Sequence, residues 1–219
     1  MKIDFNFSPN STLSFHNYIK TDYNNRFNSW KNCYEAFADI NQDENVLALH
    51  LGFYLASWGM YRGSAAIFQK DYTIHIKAVQ IIKDFYDLRC DTILEVTSLD
   101  ISRIIYLTKA LYKHYNSLQY MMKEELVDRK PTDTLISKII IGTLGCSPAF
   151  DRYYNNGVKA NGFTFNKMNE KSYKELFQFV EDNKADLIKL QQELYKIDTI
   201  HYPLLKVVDM YFWHEGYNL

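Results

Sequence analysis

One candidate for chemistry is a carboxylate that follows an apolar segment. Residues 139–144 are apolar or small, Gly145 and Pro148 interrupt the pattern, and Asp151 comes next. Ser147 as N-cap with Pro148 in the first helical position predicts a new helix, with Asp151 in its first turn. The positive end of a helix dipole favours an ionised carboxylate there. Two interpretations stay open: Asp151 only stabilises its helix, or it is a reactive group at the mouth of a cleft.

A second candidate is the end of another apolar segment, between Trp58 and Gly63. We place Gly59 inside this helix, where glycine costs about 1 kcal/mol relative to alanine. The close approach of another helix or of a ligand would compensate for that cost. Arg62 needs acceptors, which are either helix-terminal carbonyls and a carboxylate, or the phosphate of a substrate.

Histidine and cysteine offer weaker patterns. The histidines form no HxxxH or HExxH motif, so the sequence predicts no metal site, and His50 is interpreted as a hydrogen-bonded core imidazole. Cys33, Cys90 and Cys146 are three in number and far apart, which favours reduced core thiols over a disulfide framework. Only Cys146, just before a predicted helix start, is placed for a lowered pKa.

Composition limits the classes of protein. Of the 219 residues 47% are hydrophobic and the net charge is −1, which excludes wholesale disorder and a strongly basic nucleic-acid binder. The longest apolar run, 46–61, falls short of the roughly 20 residues that a membrane span needs. No apolar signal segment follows the start. We therefore expect a cytoplasmic protein without a membrane partner.

Helical periodicity dominates the chain and predicts an all-α fold. We expect one domain, 1–219, of nine or ten helices around a buried central helix, 44–60, with Asp43 as its N-cap and Gly63 as its terminator. The other predicted helices are 11–19, 22–40, 72–88, 101–119 (capped by Ser98 or Asp100), 134–144, the one starting at Pro148, 170–182, 184–197 and 204–214. Turns are predicted at 155–157 and 161–162. The expected core includes Leu49, Phe53, Leu55, Ile139 and Ile140.

The order of features around Asp151 resembles the helix-hairpin-helix DNA glycosylase superfamily: an apolar helix, Gly, a joint with Pro148, a small residue, an apolar residue, Asp and a helix. Segment 204–213 is similar to terminal helices of proteins related to that superfamily. The resemblance implies that Asp151 is the catalytic carboxylate that supports loss of a base, with DNA as partner and no cofactor. It also implies a substrate-binding set, namely Trp58, Tyr61, Arg62, Lys138, Arg152, Tyr153 and Trp213.

The chain departs from that superfamily in two places. Residues 127–133 hold no Gly-x-Gly turn to grip a phosphate, and Lys138 precedes the Pro148 joint, so the catalytic lysine of some members has no matched position. Between Arg129 and Lys174, however, eight basic residues outnumber three acidic ones, as phosphate contacts would need. Two alternatives stay open. One is a non-enzymatic helical interaction or regulatory protein that forms a homo-oligomer; the other is a small-ligand binder that uses the Trp58–Arg62 region.

Overall fold

Helices build the fold of the computed structural model, which describes residues 7–22, 24–63, 65–90, 96, 99–118, 121–122, 125–126 and 129–219. Those residues contain ten α-helices: α1 (Asn10–Lys20), α2 (Asn28–Ala36), α3 (Glu44–Ser57), α4 (Ile76–Asp84), α5 (Ile101–Asn116), α6 (Asp133–Thr143), α7 (Arg152–Ala160), α8 (Glu170–Asp182), α9 (Lys184–Asp198) and α10 (Leu204–Tyr217). Short 3₁₀ turns cover Tyr72–His75 and Tyr86–Leu88. One antiparallel pair joins β1 (Met121–Met122) to β2 (Glu125–Leu126). The predicted all-α class is confirmed.

Side-chain caps start several helices at the predicted residues. The Asp43 carboxylate accepts from the amides of Asn45 and Val46, and Asp100 caps α5 by accepting from the Ser102 amide. The helix predicted over 22–40 is shorter, because α2 covers only Asn28–Ala36. Of the predicted helices and their caps, residues 23, 98 and 119 lie outside the described residues.

The end of α3 differs from the prediction. The helix stops at Ser57, and Gly59 has a φ of +76°, so it lies beyond the helix and not in its interior. The Met60 amide donates to the Leu55 carbonyl at 2.9 Å, and the Gly59 amide donates to Ala56 at 2.9 Å. These two bonds form a Schellman motif, in which glycine readily takes the left-handed conformation. Gly59 is therefore the terminator that the sequence placed at Gly63.

The most buried helices are α6 and α10, and α3 is only partly central. Leu55, Ile139 and Ile140 are fully buried, as predicted. Leu49 and Phe53 were predicted in the core, which is wrong: they are 54% and 64% exposed. His50, beside them, is also exposed, so it is not a core imidazole. A helix that is apolar on all sides gives no periodic signal of which face turns inward.

Helices α7 and α10 cross at very close range. A Cβ atom added at Gly157 would overlap the carbonyl oxygen of Phe212, and one added at Gly216 would overlap that of Tyr153. The prediction that 155–157 forms a turn is wrong, because these residues lie inside α7. The turn at 161–162 is confirmed, with Gly162 at a φ of +80°. Within the described part of the chain, no helix combines the length and apolarity needed to cross a membrane.

Candidate functional site

A cavity of about 520 Å³, including its open mouth, lies between α1, α10, the C-terminal end of α3 and the joint from α6 to α7. Its aromatic lining consists of Phe15, Phe27, Tyr54, Trp58 and Trp213, and its polar lining of Thr12, His16, Lys138, Asp151, Lys206 and Asp209. Ligand sites commonly combine such apolar walls with a few polar groups. We refer to this cavity as the aromatic pocket.

Two helices, α1 and α10, supply most of the pocket lining, and their lining residues follow the same sequence spacing. Thr12, Phe15, His16 and Ile19 lie on α1 at positions i, i+3, i+4 and i+7, and α10 repeats that spacing from Lys206 to Trp213. Residues so spaced share one face of a helix. Each helix therefore presents one continuous stripe to the cavity.

Asp151 lines the pocket and is 9% exposed. Its Oδ1 accepts from the amides of Tyr153 and Tyr154, both at 3.1 Å, so Asp151 itself is the N-cap of α7. The prediction of Ser147 as N-cap is wrong, because its hydroxyl instead bonds the Pro148 carbonyl and the Tyr173 hydroxyl. Asp151 thus stabilises a helix start, and it also lines a cavity.

The second carboxylate oxygen of Asp151 forms a buried ion pair. Lys138 Nζ lies 3.0 Å from Asp151 Oδ2, and the lysine is only 5% exposed. The same ammonium lies 4.5 Å from the centre of the Trp58 ring, a distance at which cations are attracted to the face of an indole. Lys138 is therefore inside the pocket and not on its surface.

A second ion pair holds the joint before Asp151. Lys206 Nζ lies 2.7 Å from Asp209 Oδ2, and Asp209 Oδ1 accepts from the Ala149 amide at 2.9 Å. Asp209 is 4% exposed. Because Ala149 is two residues before Asp151, this bond helps to fix the position of the Asp151 carboxylate.

Four buried polar atoms of the pocket residues have no hydrogen-bonding partner within the described chain. They are Thr12 Oγ1, His16 Nδ1, Trp58 Nε1 and Trp213 Nε1. Buried polar groups in proteins are nearly always bonded, and each unpaired one costs about 1–3 kcal/mol. Four such atoms on residues of one cavity favour a polar ligand or an ordered water as the missing partner.

His16 forms a close contact with the carboxylate of Asp198. His16 Nε2 lies 2.9 Å from Asp198 Oδ2, and the imidazole is 2% exposed. Asp198 also accepts from the Tyr202 hydroxyl at 2.7 Å and from Lys20 Nζ at 3.1 Å. Burial raises the pKa of Asp198, but the hydrogen bonds from His16, Tyr202, the Ile200 amide and Lys20 outweigh burial and lower it to about 2.

The structure brings together four of the residues that the sequence selected: Trp58, Lys138, Asp151 and Trp213 all line the pocket. Two of the others do not line it. The Tyr61 hydroxyl bonds His75 Nε2 at 2.7 Å, and the Arg62 guanidinium folds back over Gly59.

Two more of the selected residues border the pocket. The Tyr153 ring contacts Trp213 edge-on with centroids 5.2 Å apart, and the exposed Arg152 lies 4.7 Å from the centre of the Tyr153 ring. On the other side, the exposed Arg26 lies 5.1 Å from the centre of the Trp58 ring. Two guanidinium groups therefore lie on aromatic side chains of the pocket and its border.

Sequence reasoning missed His16, Thr12 and Asp209. Each is a single polar residue in a helix, and the partner of His16, Asp198, is 182 positions away. The one local signal was the repeated i, i+3, i+4, i+7 spacing on the first and last helices, which also fits ordinary core packing.

Cys146 is a free core thiol, as predicted, and not a reactive cysteine. Cys146 is fully buried, and burial raises the pKa of its thiol well above the usual range. A nucleophilic cysteine needs a lowered pKa and access to its target. Among the residues that the structure describes, no group of three or more His, Cys, Asp or Glu side chains is arranged to hold a metal ion.

The comparisons with known proteins add no relative to this geometry. No family model matches the chain, and no curated protein or solved structure shows significant similarity to it.

Proposed function

We propose that the protein acts on nucleic acid by binding a single extruded base in the aromatic pocket, as a divergent protein of the helix-hairpin-helix glycosylase type. The observation that carries the proposal is the combination of a carboxylate–ammonium pair and four unpaired polar atoms within aromatic walls. A planar heteroaromatic ring with hydrogen-bonding edges suits such a cavity. Enzymes that act on bases use pockets with stacking side chains and polar contacts to the base edge.

The chemistry proposed is cleavage of the bond between the base and its sugar. The bond breaks with its electron pair going to the base. A water molecule then adds to the sugar carbon, and the proton that this water loses neutralises the departed base. Asp151 would stabilise the positive charge that develops on the sugar. The indole N–H groups of Trp58 and Trp213 can only donate, so they would stabilise negative charge on the departing base.

Two cationic side chains support a nucleic-acid partner. Arg26 and Arg152 are exposed and lie over aromatic rings at the pocket, where they could contact phosphates on either side of an extruded base. Lys138 is paired inside the cavity, so it would hold Asp151 in place and would not bind the backbone. Arg62, away from the cavity, is not part of this proposed contact set.

Salt-dependent DNA binding tests the partner. We expect binding of single-stranded and mismatched duplex DNA that weakens steeply with salt, because each phosphate contact releases counterions. Replacing both Arg26 and Arg152 by Gln should reduce the slope of log K against log salt by about 2, roughly one for each contact. Arg62→Gln is the matched control and should leave binding unchanged. No binding at low salt would contradict the proposal.

Base release tests the chemistry. Duplexes that each contain one damaged, deaminated or alkylated base are incubated with the protein, and free base is measured by chromatography. We expect release from at least one of them, and a loss of several orders of magnitude in Asp151→Asn. A protein that binds DNA but releases no base from any duplex would reduce the proposal to base binding alone.

A different observation favours the alternative, a helical interaction protein that forms a homo-oligomer. Val46, Leu49 and Phe53 leave an apolar stripe exposed on α3, and identical stripes can pair across a two-fold axis. If this is the function, sedimentation should show a dimer that Phe53→Ser dissociates. A protein that is monomeric at about 100 μM, a concentration far above the Kd of a stable dimer, would exclude this alternative.

A further inference from the structure

The strongest feature that the proposed chemistry leaves unused is His16. It is buried on α1, lines the aromatic pocket, and uses only one of its two ring nitrogens within the described chain. The used nitrogen, Nε2, faces the Asp198 carboxylate at 2.9 Å. The other nitrogen, Nδ1, is buried without a partner.

The contacts of Asp198 determine where the proton of His16 lies. Asp198 already accepts from the Tyr202 hydroxyl, the Ile200 amide and Lys20 Nζ. A carboxylate surrounded by donors is ionised and can only accept. His16 Nε2 must therefore carry a proton in this pair, and in the neutral form of the ring Nδ1 has a bare lone pair.

The unpaired atoms of the pocket now have defined hydrogen-bonding roles. Trp58 Nε1 and Trp213 Nε1 are donors, His16 Nδ1 is an acceptor in the neutral ring, and the Thr12 hydroxyl can be either. A ligand that satisfies them presents acceptors to the two indoles and a donor to His16. The polar atoms of Lys138 and Asp151 already have partners.

We propose that His16, oriented by Asp198, accepts a hydrogen bond from a ring N–H of the bound base, so that the pocket selects bases with an unsubstituted ring N–H next to carbonyl acceptors. This inference rests on the proposed function, because it assigns the substrate class of the same pocket. His16 is the residue that binds the base, and Asp198 is a positioning residue that acts through His16. A base in which every ring nitrogen is alkylated would leave Nδ1 buried and unpaired.

Two substitutions of His16 separate binding from structure. In His16→Gln, the amide nitrogen can occupy the place of Nε2 and still donate to Asp198, but the acceptor at Nδ1 is lost. In His16→Asn, the amide can place an oxygen near Nδ1, but the bond to Asp198 is lost. We expect His16→Gln to fold as stably as the parent and to bind the base about tenfold more weakly, the effect of one hydrogen bond. His16→Asn should lose stability and keep part of its affinity.

Matched probes measure the hydrogen bond itself. Free uracil is compared with 1,3-dimethyluracil, and xanthine with 1,3,7-trimethylxanthine, by the quenching of tryptophan fluorescence. The parent protein should prefer at least one unmethylated base by about tenfold, and His16→Gln should lose that preference. A preference caused only by the bulk of the methyl groups would persist in His16→Gln, and that persistence would overturn the inference.

The remaining outcomes distinguish this inference from the proposed function. If neither the free bases nor DNA bind the parent protein, the proposed function fails and this inference fails with it. If they bind and His16→Gln binds them as the parent does, only this inference is overturned. Long-range ¹⁵N–¹H spectra of the imidazole provide a readout without ligand: they should show the proton of His16 on Nε2, and a proton on Nδ1 instead would refute the assigned acceptor.

Discussion

Replacing Asp151 by Asn should lower the free energy of unfolding by about 2–4 kcal/mol, and adding Lys138→Met should restore most of that loss. Removing one member of a buried ion pair typically costs 3–5 kcal/mol, because the other charge stays buried without its partner. The side chains of Lys138 and Asp151 are 6% and 12% exposed and their charged atoms are 3.0 Å apart, so this pair falls in that class.

Two features of the site reduce the expected cost of Asp151→Asn. Asparagine is as good an N-cap as aspartate, so the bonds from the amides of Tyr153 and Tyr154 can persist. The Trp58 ring, 4.5 Å from Lys138 Nζ, keeps about 0.5–2 kcal/mol of cation–π attraction. Lys138→Met in the same chain removes the unpaired charge and leaves an apolar side chain of similar length, a replacement that is often neutral.

Urea unfolding followed by tryptophan fluorescence measures these changes. The matched control is the exposed ion pair on α8, in which Lys174 Nζ lies 2.6 Å from Glu170 Oε1. Replacing both of its residues should cause no measurable change in the free energy of unfolding. If the Asp151→Asn, Lys138→Met double variant is as unstable as Asp151→Asn alone, the charge of Lys138 is not what destabilises the single variant. A stable double variant that releases no base would separate the proposed catalytic role of Asp151 from its structural one.

Three further predictions concern the rest of the fold. Gly157→Ala should destabilise the protein by about 2 kcal/mol or more in urea unfolding, because the added Cβ would overlap the backbone of α10. Burial, aided by the nearby His114, lowers the pKa of His75 to about 3. Between about pH 6.5 and 3, His75 is therefore protonated only in the unfolded chain. The free energy of unfolding should then decrease with falling pH, by up to about 1.4 kcal/mol per pH unit. His75→Gln should remove that part of the slope, whereas the exposed His50→Gln should keep it. Thr12→Val should stabilise the protein by about 1 kcal/mol by removing an unpaired buried hydroxyl, and Thr108→Val, which loses a bond to the Ile104 carbonyl, should not.

Helix starts were predictable because their signals are local. Asp43 and Asp100 each bond an amide two residues ahead, and such contacts follow from the neighbouring sequence alone. The start of α7 was placed too early for the same reason: Ser147-Pro148 is a strong local pattern. The N-cap is instead Asp151, whose second carboxylate oxygen is bonded to Lys138 on α6.

The exposed side of α3 and the pocket on α1 were not predictable in this way. Leu49 and Phe53 lie in a segment that is apolar at nearly every position, so no periodicity distinguishes inner from outer positions. His16 is a candidate site residue because it contacts Asp198, far along the chain, and because it lines a cavity. That cavity exists only after α1 packs against α9 and α10. Asp151 could be found from sequence because a proline joint and a helix start surround it.

The position of the Asp151 carboxylate depends on two contacts with α10. The bond from the Ala149 amide to Asp209 ties the joint before it to α10, and the crossing of Gly157 against α10 ties down the helix after it. Both contacts fix the position of Asp151 relative to α10, the helix that carries Trp213. Because reacting groups must be held within fractions of an ångström, a substitution at this crossing should impair the site even where the aromatic pocket itself is untouched. The α7–α10 contact, and not only the residues that line the cavity, thus positions Asp151 for the proposed reaction.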